Sequence, residues 1–206
     1  MKFWKSKKTA RSEQLEKVAH HLHLNYHKTD DLQILRLLLD FKLFSQGHSK
    51  KISNLMWTDD ENLEIRTRIF DYEYTVSAGN SHQKFQRTVF FFNSKKLGLP
   101  EFRMQPEKFI HRLAAWLGWN DIDFESHETF SKQYHLTGAD EDLIRDTFTD
   151  DVLHYFSFQN GWCVEGLNYY LIIYRNDNLL KIEEIDKFYH TANEIYRLLE
   201  GKGFSI

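Results

Sequence analysis

The stretch from Leu63 to Phe92 constrains this chain most: LEIRTRIFDYEYTV, a turn SAGNSH and, after Gln83, KFQRTVFFF. Read with a period of two, Arg66, Arg68, Phe70, Tyr72, Tyr74 and Val76 share one face, and Ile65, Thr67, Ile69, Asp71, Glu73 and Thr75 share the other. Each face is part apolar and part charged, which suits a twisted sheet covered over only part of its length. Gly79-Asn80 tolerates positive φ, so the two runs are expected to form a hairpin. In the second run Phe90 and Phe92 alternate with Val89 and Phe91, so its far end is apolar on both sides and should be the most buried part of the sheet.

Around this ribbon the other elements follow from periodicity and punctuation. Leu15, Val18, Ala19 and Leu22 fall at helical spacing within 12–24, and Leu35, Leu38 and Leu39 do so in a second segment opened by Asp30 as N-cap. Lys51 to Asp60 reads as a first strand. Leu99 to Met104 reads as another, placed at a sheet edge because Pro100 lacks a ladder donor. Pro106 would start a helix carrying Phe109, Ile110, Leu113, Trp116 and Leu117, closed by Gly118. Tyr134 to Thr137 is a short strand, and Asp140 to Phe158 continues one apolar side as a helix loaded with acid at its start. A second hairpin spans Trp162 to Tyr174, and Ile182 to Leu199 is the last helix. Helices do not alternate with single strands. The expected fold class is therefore α+β: a mostly antiparallel sheet, built from a strand meander and a C-terminal hairpin, covered by helices and preceded by N-terminal amphipathic helices. The expected organisation is a basic leader over 1–11, a helical segment over 12–46 and one compact α+β domain over 47–206.

Charge is uneven along the chain. Five of the 27 basic residues, Lys2, Lys5, Lys7, Lys8 and Arg11, precede the first acidic one, Glu13, while the whole chain carries -3. With Phe3 and Trp4 among them, these side chains could meet an anionic membrane surface or a partner protein. The acidic remainder excludes a global case for nucleic acid. Aromatic residues make up 16% of the chain, so rings should build much of the core. Cys163 is the only cysteine, which excludes an internal disulfide and a thiolate zinc site and suits a reducing, cytoplasmic setting, with peripheral membrane contact through the leader.

Reactive signatures are sparse. On a continued helix His23 and His27 would share a face at i, i+4 and could hold zinc or nickel, although Leu24 stands where a metalloprotease needs glutamate. Asp71 and Glu73 on the central strand, and Asp121, Asp123 and Glu125 in the irregular segment, are the carboxylates a hydrolase or ligand pocket would draw on. The bland role for Asp71 is an ion pair with Arg66, Arg68 or Arg87. No phosphate loop or GxSxG elbow occurs, so no nucleotide cofactor has a seat and none is expected.

Several stretches taken together, IFDYEYT, QRTVFFF, LPEFRMQPE, DIDFESH, FSKQYHLTGADED and GWCVEGLNYYLIIYR, resemble a family of uncharacterised bacterial proteins with no assigned activity. The resemblance covers most of Gly47 to Arg175. It implies relatives with hydrophobic membrane helices ahead of this region, whereas the first forty residues here are amphipathic, and it transfers no catalytic residue. The functional expectation is a non-enzymatic module that binds a partner protein or sits at a membrane, the alternative being a hydrolase or small-ligand binder with a carboxylate-lined pocket.

Overall fold

A computed structural model describes residues 7–60, 64–79, 81–108, 121–175 and 178–201. Among the described residues eight strands form one sheet in the order β1-β2-β3-β4-β8-β7-β5-β6. They are β1 (Asn25–Thr29), β2 (His48–Asp59), β3 (Ile65–Ala78), β4 (Ser81–Ser94), β5 (Leu99–Pro106), β6 (Tyr134–Gly138), β7 (Trp162–Asn168) and β8 (Tyr170–Arg175). The helices are α1 (Lys7–His21), α2 (Lys42–Ser45), α3 (Glu128–Gln133), α4 (Glu141–Thr147), α5 (Asp150–Ser157) and α6 (Ile185–Leu199). The pairings β1–β2, β2–β3, β5–β6, β5–β7 and β7–β8 are antiparallel, and the fold is α+β. Among the described residues no helix is long and apolar enough to cross a membrane.

Contacts divide the chain into two compact units, Met1–Phe90 with Asp177–Thr191, and Phe91–Asn176 with Ala192–Ile206. In the first unit, α1 packs on β1 and β2 through Leu15 and Ala19, both essentially buried. The helix stops at His21 and His23 takes φ +56°, so the chain turns back into β1. That strand went unpredicted. Its five residues, NYHKT, carry no alternation, and pairing with β2 rather than pattern makes them a strand. The expected second helix is also corrected: a 3-10 turn over Ile34–Leu38 and the four-residue α2 replace it. The backbone explains this, because Gln33 is left-handed at φ +53° and Phe41 is extended at ψ 144°, so no continuous helix runs through; Phe44, within α2, lies 4.3 Å, ring to ring, from Tyr72 and 6.2 Å from Phe70. Tyr72, Tyr74 and Phe85 continue the row as a stack. Residues 67–72 of β3 are all buried, so both of its faces are covered over its middle.

In the second unit β5 lies between β6 and β7, so it is not the edge strand that Pro100 suggested. The missing proline donor is accommodated where the β5–β7 register shifts between Leu99 and Phe102. Phe102 stacks edge-on against Phe148, and its ring lies over Gly166, where a Cβ would collide with it. Phe130, Tyr134 and Phe156 extend this aromatic layer beneath α3 and α5. The single helix expected over 140–158 is two. Thr149 is extended at ψ 166° and starts α5 with Asp150 and Asp151 in its first turn, where the helix dipole favours them. Pro106 ends β5 rather than opening a long helix at once, and the rest of that expected helix, 109–117, lies outside the described residues. The far end of β4 is buried on both sides, as its sequence indicates: in the first unit Phe90 contacts Phe188, and in the second Phe92 stacks on Tyr196 at 4.6 Å.

Candidate functional site

The first unit centres on Asp71. An acid in the middle of a strand is exceptional, and here four donors hold it. Arg11, on the first turns of α1, donates from Nε at 2.7 Å and from Nη2 at 2.8 Å, a fork on the two carboxylate oxygens. Asn54 Nδ2 donates at 2.8 Å and Thr88 Oγ1 at 3.1 Å. Asn54 can do so because β2 bulges between Ser53 and Met56, and Asn54 itself takes φ +53°, a conformation asparagine tolerates. Its amide oxygen accepts from Ser12 and Tyr26. Arg11 Nη1 also donates to the Leu180 carbonyl at 2.7 Å. One carboxylate therefore fastens α1, β2, β4 and the segment before α6. The partners expected for Asp71, namely Arg66, Arg68 and Arg87, are replaced by Arg11; Arg68 pairs with Asp59 instead.

Glu73, two residues along the same face, accepts from Lys8, Lys84 and Gln86. Partial burial pushes its carboxyl up, but the Lys84 and Lys8 ammonium groups outweigh that and hold it below the usual range. A cavity of about 180 Å³ opens beside these groups, bounded by Lys8, Lys28, Lys51, Ser53, Glu73 and Gln86 among others. Asp71 and Glu73 thus share one pocket, yet neither is arranged as a proton shuttle. With about four lone-pair sites on a carboxylate, Asp71 has none to spare, and Glu73 is held ionised. Lys28 and Lys51 are exposed at the rim and have no acidic partner among the described residues.

The acidic trio of the irregular segment, in the second unit, does not converge. Asp121 accepts from the Leu136 amide at 2.9 Å through Oδ1, and its Oδ2 lies 3.0 Å from His135 Nδ1. Asp123 offers its backbone carbonyl to Arg145, and Glu125 opens a short 3-10 turn with its side chain exposed. The shared helical face expected for His23 and His27 is not formed, because α1 has ended: His23 is in the turn and His27 is on β1, 2.8 Å from Asp31. Of the leader, Lys8 and Arg11 are drawn onto Glu73 and Asp71; Lys2, Phe3, Trp4, Lys5 and the side chain of Lys7 lie outside the described residues.

Sequence reasoning missed a second buried polar group. Glu165 on β7 accepts from Tyr174 on β8 at 2.9 Å, and Arg103 on β5 approaches it to 3.7 Å, all three essentially buried. Burial, and then Glu165, push the Tyr174 hydroxyl well above its ordinary value. Desolvation alone would lower Arg103, but Tyr174 and Glu165 outweigh it and the net shift is upward. The signal was present: a glutamate stands between Val164 and Gly166, and an arginine between Phe102 and Met104, each a charged side chain between apolar neighbours in a strand. Cys163 is buried on β7 opposite Tyr174.

No family model matches the chain, and no curated protein matches it in sequence. Among solved structures it is similar to the mycobacterial trehalose monomycolate transport factor A, TtfA, with a TM-score of 0.64 at 10% identity, over 91% of this chain and 93% of that one. The likeness is one of fold.

Proposed function

We propose that this chain is a non-catalytic binding module that works at an anionic membrane surface, where it engages a partner protein. The observation that carries this reading is the distribution of charge around the start of α1. The two central carboxylates are occupied by Lys8 and Arg11, while Lys28 and Lys51 remain exposed at the rim of the same cavity. The basic leader adds Lys2, Lys5 and Lys7 around Phe3 and Trp4. Each such lysine contributes about 1 kcal/mol near anionic lipid, and the two rings add apolar insertion. The fold likeness is to a protein described as a transport factor, which supports a binding role. Asp71, with every lone pair engaged, gives the hydrolase alternative no support in the first unit.

Co-sedimentation with phosphatidylglycerol-containing vesicles tests the membrane part. Binding should weaken as salt rises, fall on K28E/K51E, and fall further when Lys2, Lys5 and Lys7 are also made glutamate. Deleting 1–11 would be the wrong variant, since it removes Arg11 from Asp71. Equal, negligible binding by the native chain and the charge-reversed one refutes the proposal.

A further inference from the structure

A different place in the molecule has the makings of a metal site. Glu107, just past the end of β5, Asp121 and His135 bring one ligand atom each to within 4.8 Å of one another. Two of the three are already at coordination spacing. Asp121 Oδ2 and His135 Nδ1 form an ion pair at 3.0 Å, and cis ligands about 2.1 Å from an octahedral ion also lie about 3.0 Å apart, so an ion replacing the shared proton needs little movement of either. Asp121 is also oriented in advance. Its Oδ1 accepts from the Leu136 amide at 2.9 Å, and the next residue, Ile122, donates its backbone amide to the Leu136 carbonyl at 2.8 Å, so the segment is clamped along β6. A carboxylate whose second oxygen is fixed by a backbone donor is the support a metal ligand requires.

An independent observation points to the same place. Gln105 stands directly opposite His135 in the β5–β6 register, so the two side chains leave the same face of the sheet side by side. Gln105 is 5% exposed, and its Oε1 is buried without a hydrogen-bond partner. A buried amide oxygen left unsatisfied is costly, and an ion beside His135 would relieve that cost.

We propose that Glu107, Asp121 and His135, with the Gln105 amide oxygen as a fourth donor, bind a divalent first-row transition ion. Two carboxylates with one imidazole suit ions from Mn²⁺ to Zn²⁺; Ca²⁺ takes six to eight oxygens, and the thiolate that a soft ion prefers is absent from the set. The ion joins the two ends of the chain between Glu107 and Asp121 to β6, so its first effect is to stabilise the second unit.

The test uses the tag-free full chain, stripped with EDTA and titrated calorimetrically with MnCl₂ and with ZnCl₂. One saturable site is expected, weakened by about tenfold or more in His135→Ala and in Asp121→Asn and unchanged in Glu125→Gln. Mn²⁺ should also broaden the Ile122 and Leu136 amide resonances of the native protein before those of His20 to His27. That second reading decides the matter if the His135 variant does not fold. Absence of saturable binding below about 1 mM, binding undiminished in folded His135→Ala, or broadening confined to the histidines of 20–27 overturns the proposal.

Discussion

Arg11→Ala is the perturbation on which the account of the first unit depends most. It removes both arms of the guanidinium fork, at 2.7 and 2.8 Å, and leaves Asp71 with only Asn54 and Thr88. The two side chains are 17% and 7% exposed, so water can relieve little of the loss. Breaking a buried pair by deleting one partner costs about 3–5 kcal/mol. The residual exposure of Arg11 argues for the lower end, about 3 kcal/mol, with the lost bond to the Leu180 carbonyl contained in that figure. For a chain of this length each kcal/mol moves the midpoint by about 2–4 °C, so Tm should fall by about 6–12 °C. Asp71→Asn should cost a comparable amount, because it strands the arginine instead. In the double variant the costs should fall short of their sum by about 1–3 kcal/mol. Circular dichroism melts give the totals. Since contacts divide the chain into two units, amide exchange gives the location: protection should drop along α1 and around Leu180 while β5 to β7 hold. A stability within about 0.5 kcal/mol of native in Arg11→Ala, with α1 still protected, would refute the reasoning.

Three further outcomes follow from the same coordinates. Asn54→Gly keeps a backbone able to adopt φ +53° but loses the bonds to Asp71, Ser12 and Tyr26, whereas Asn54→Ala loses both; urea titrations should show alanine the worse by about 1 kcal/mol. Glu73 titrates in the folded state below its ordinary 4.5, so its stabilisation is complete above that value and is lost as pH falls through the lowered folded-state pKa; Glu73→Gln should flatten the acid limb of a stability profile, and an unchanged limb would count against the Lys8 and Lys84 contacts. Gly138→Ala should destabilise by about 2 kcal/mol or more, and by more than Gly166→Ala, because its Cβ meets the immobile carbonyl of Glu101 as well as Ile144, while that of Gly166 meets only the Phe102 ring.

What the sequence made legible was whatever depends on near neighbours. The β3–β4 and β7–β8 hairpins, the α1 stripe of Leu15 and Ala19, and the stripe of α6 through Ile185, Phe188, Ala192, Ile195 and Leu199 follow from alternation, helical spacing and Gly79, and their burial matches. The failures share a cause in tertiary pairing. Nothing local to NYHKT specifies β1; β2 does. Nothing local to LPEFRMQ reveals neighbours on both sides, and the proline rule fails there because the register shift absorbs the missing donor. The leucine run is interrupted at left-handed Gln33 and extended Phe41, and Phe44 packs on two rings of β3 that lie far from it in sequence.

The candidate site was half legible for the same reason. Period-two reading placed Asp71 and Glu73 on one side of β3, and the structure gives both to one cavity; it could not reveal that the cations answering them stand 60 and 65 positions earlier, in a leader read as a membrane arm. The leader's charge is therefore divided by geometry. Lys8 and Arg11, one helical turn apart, reach Glu73 and Asp71, while Lys2 and Lys5, which lie outside the described residues, are the ones assigned to the membrane under the proposed function. If that division is correct, the electrostatic work of the leader separates experimentally into two parts that a composition count merges. Charge changes at Lys2 and Lys5 should alter vesicle binding and its salt dependence without moving the melting point, and Arg11→Ala should lower the melting point before it alters vesicle binding. A leader acting as one undivided basic patch would show both effects from every lysine and arginine in it.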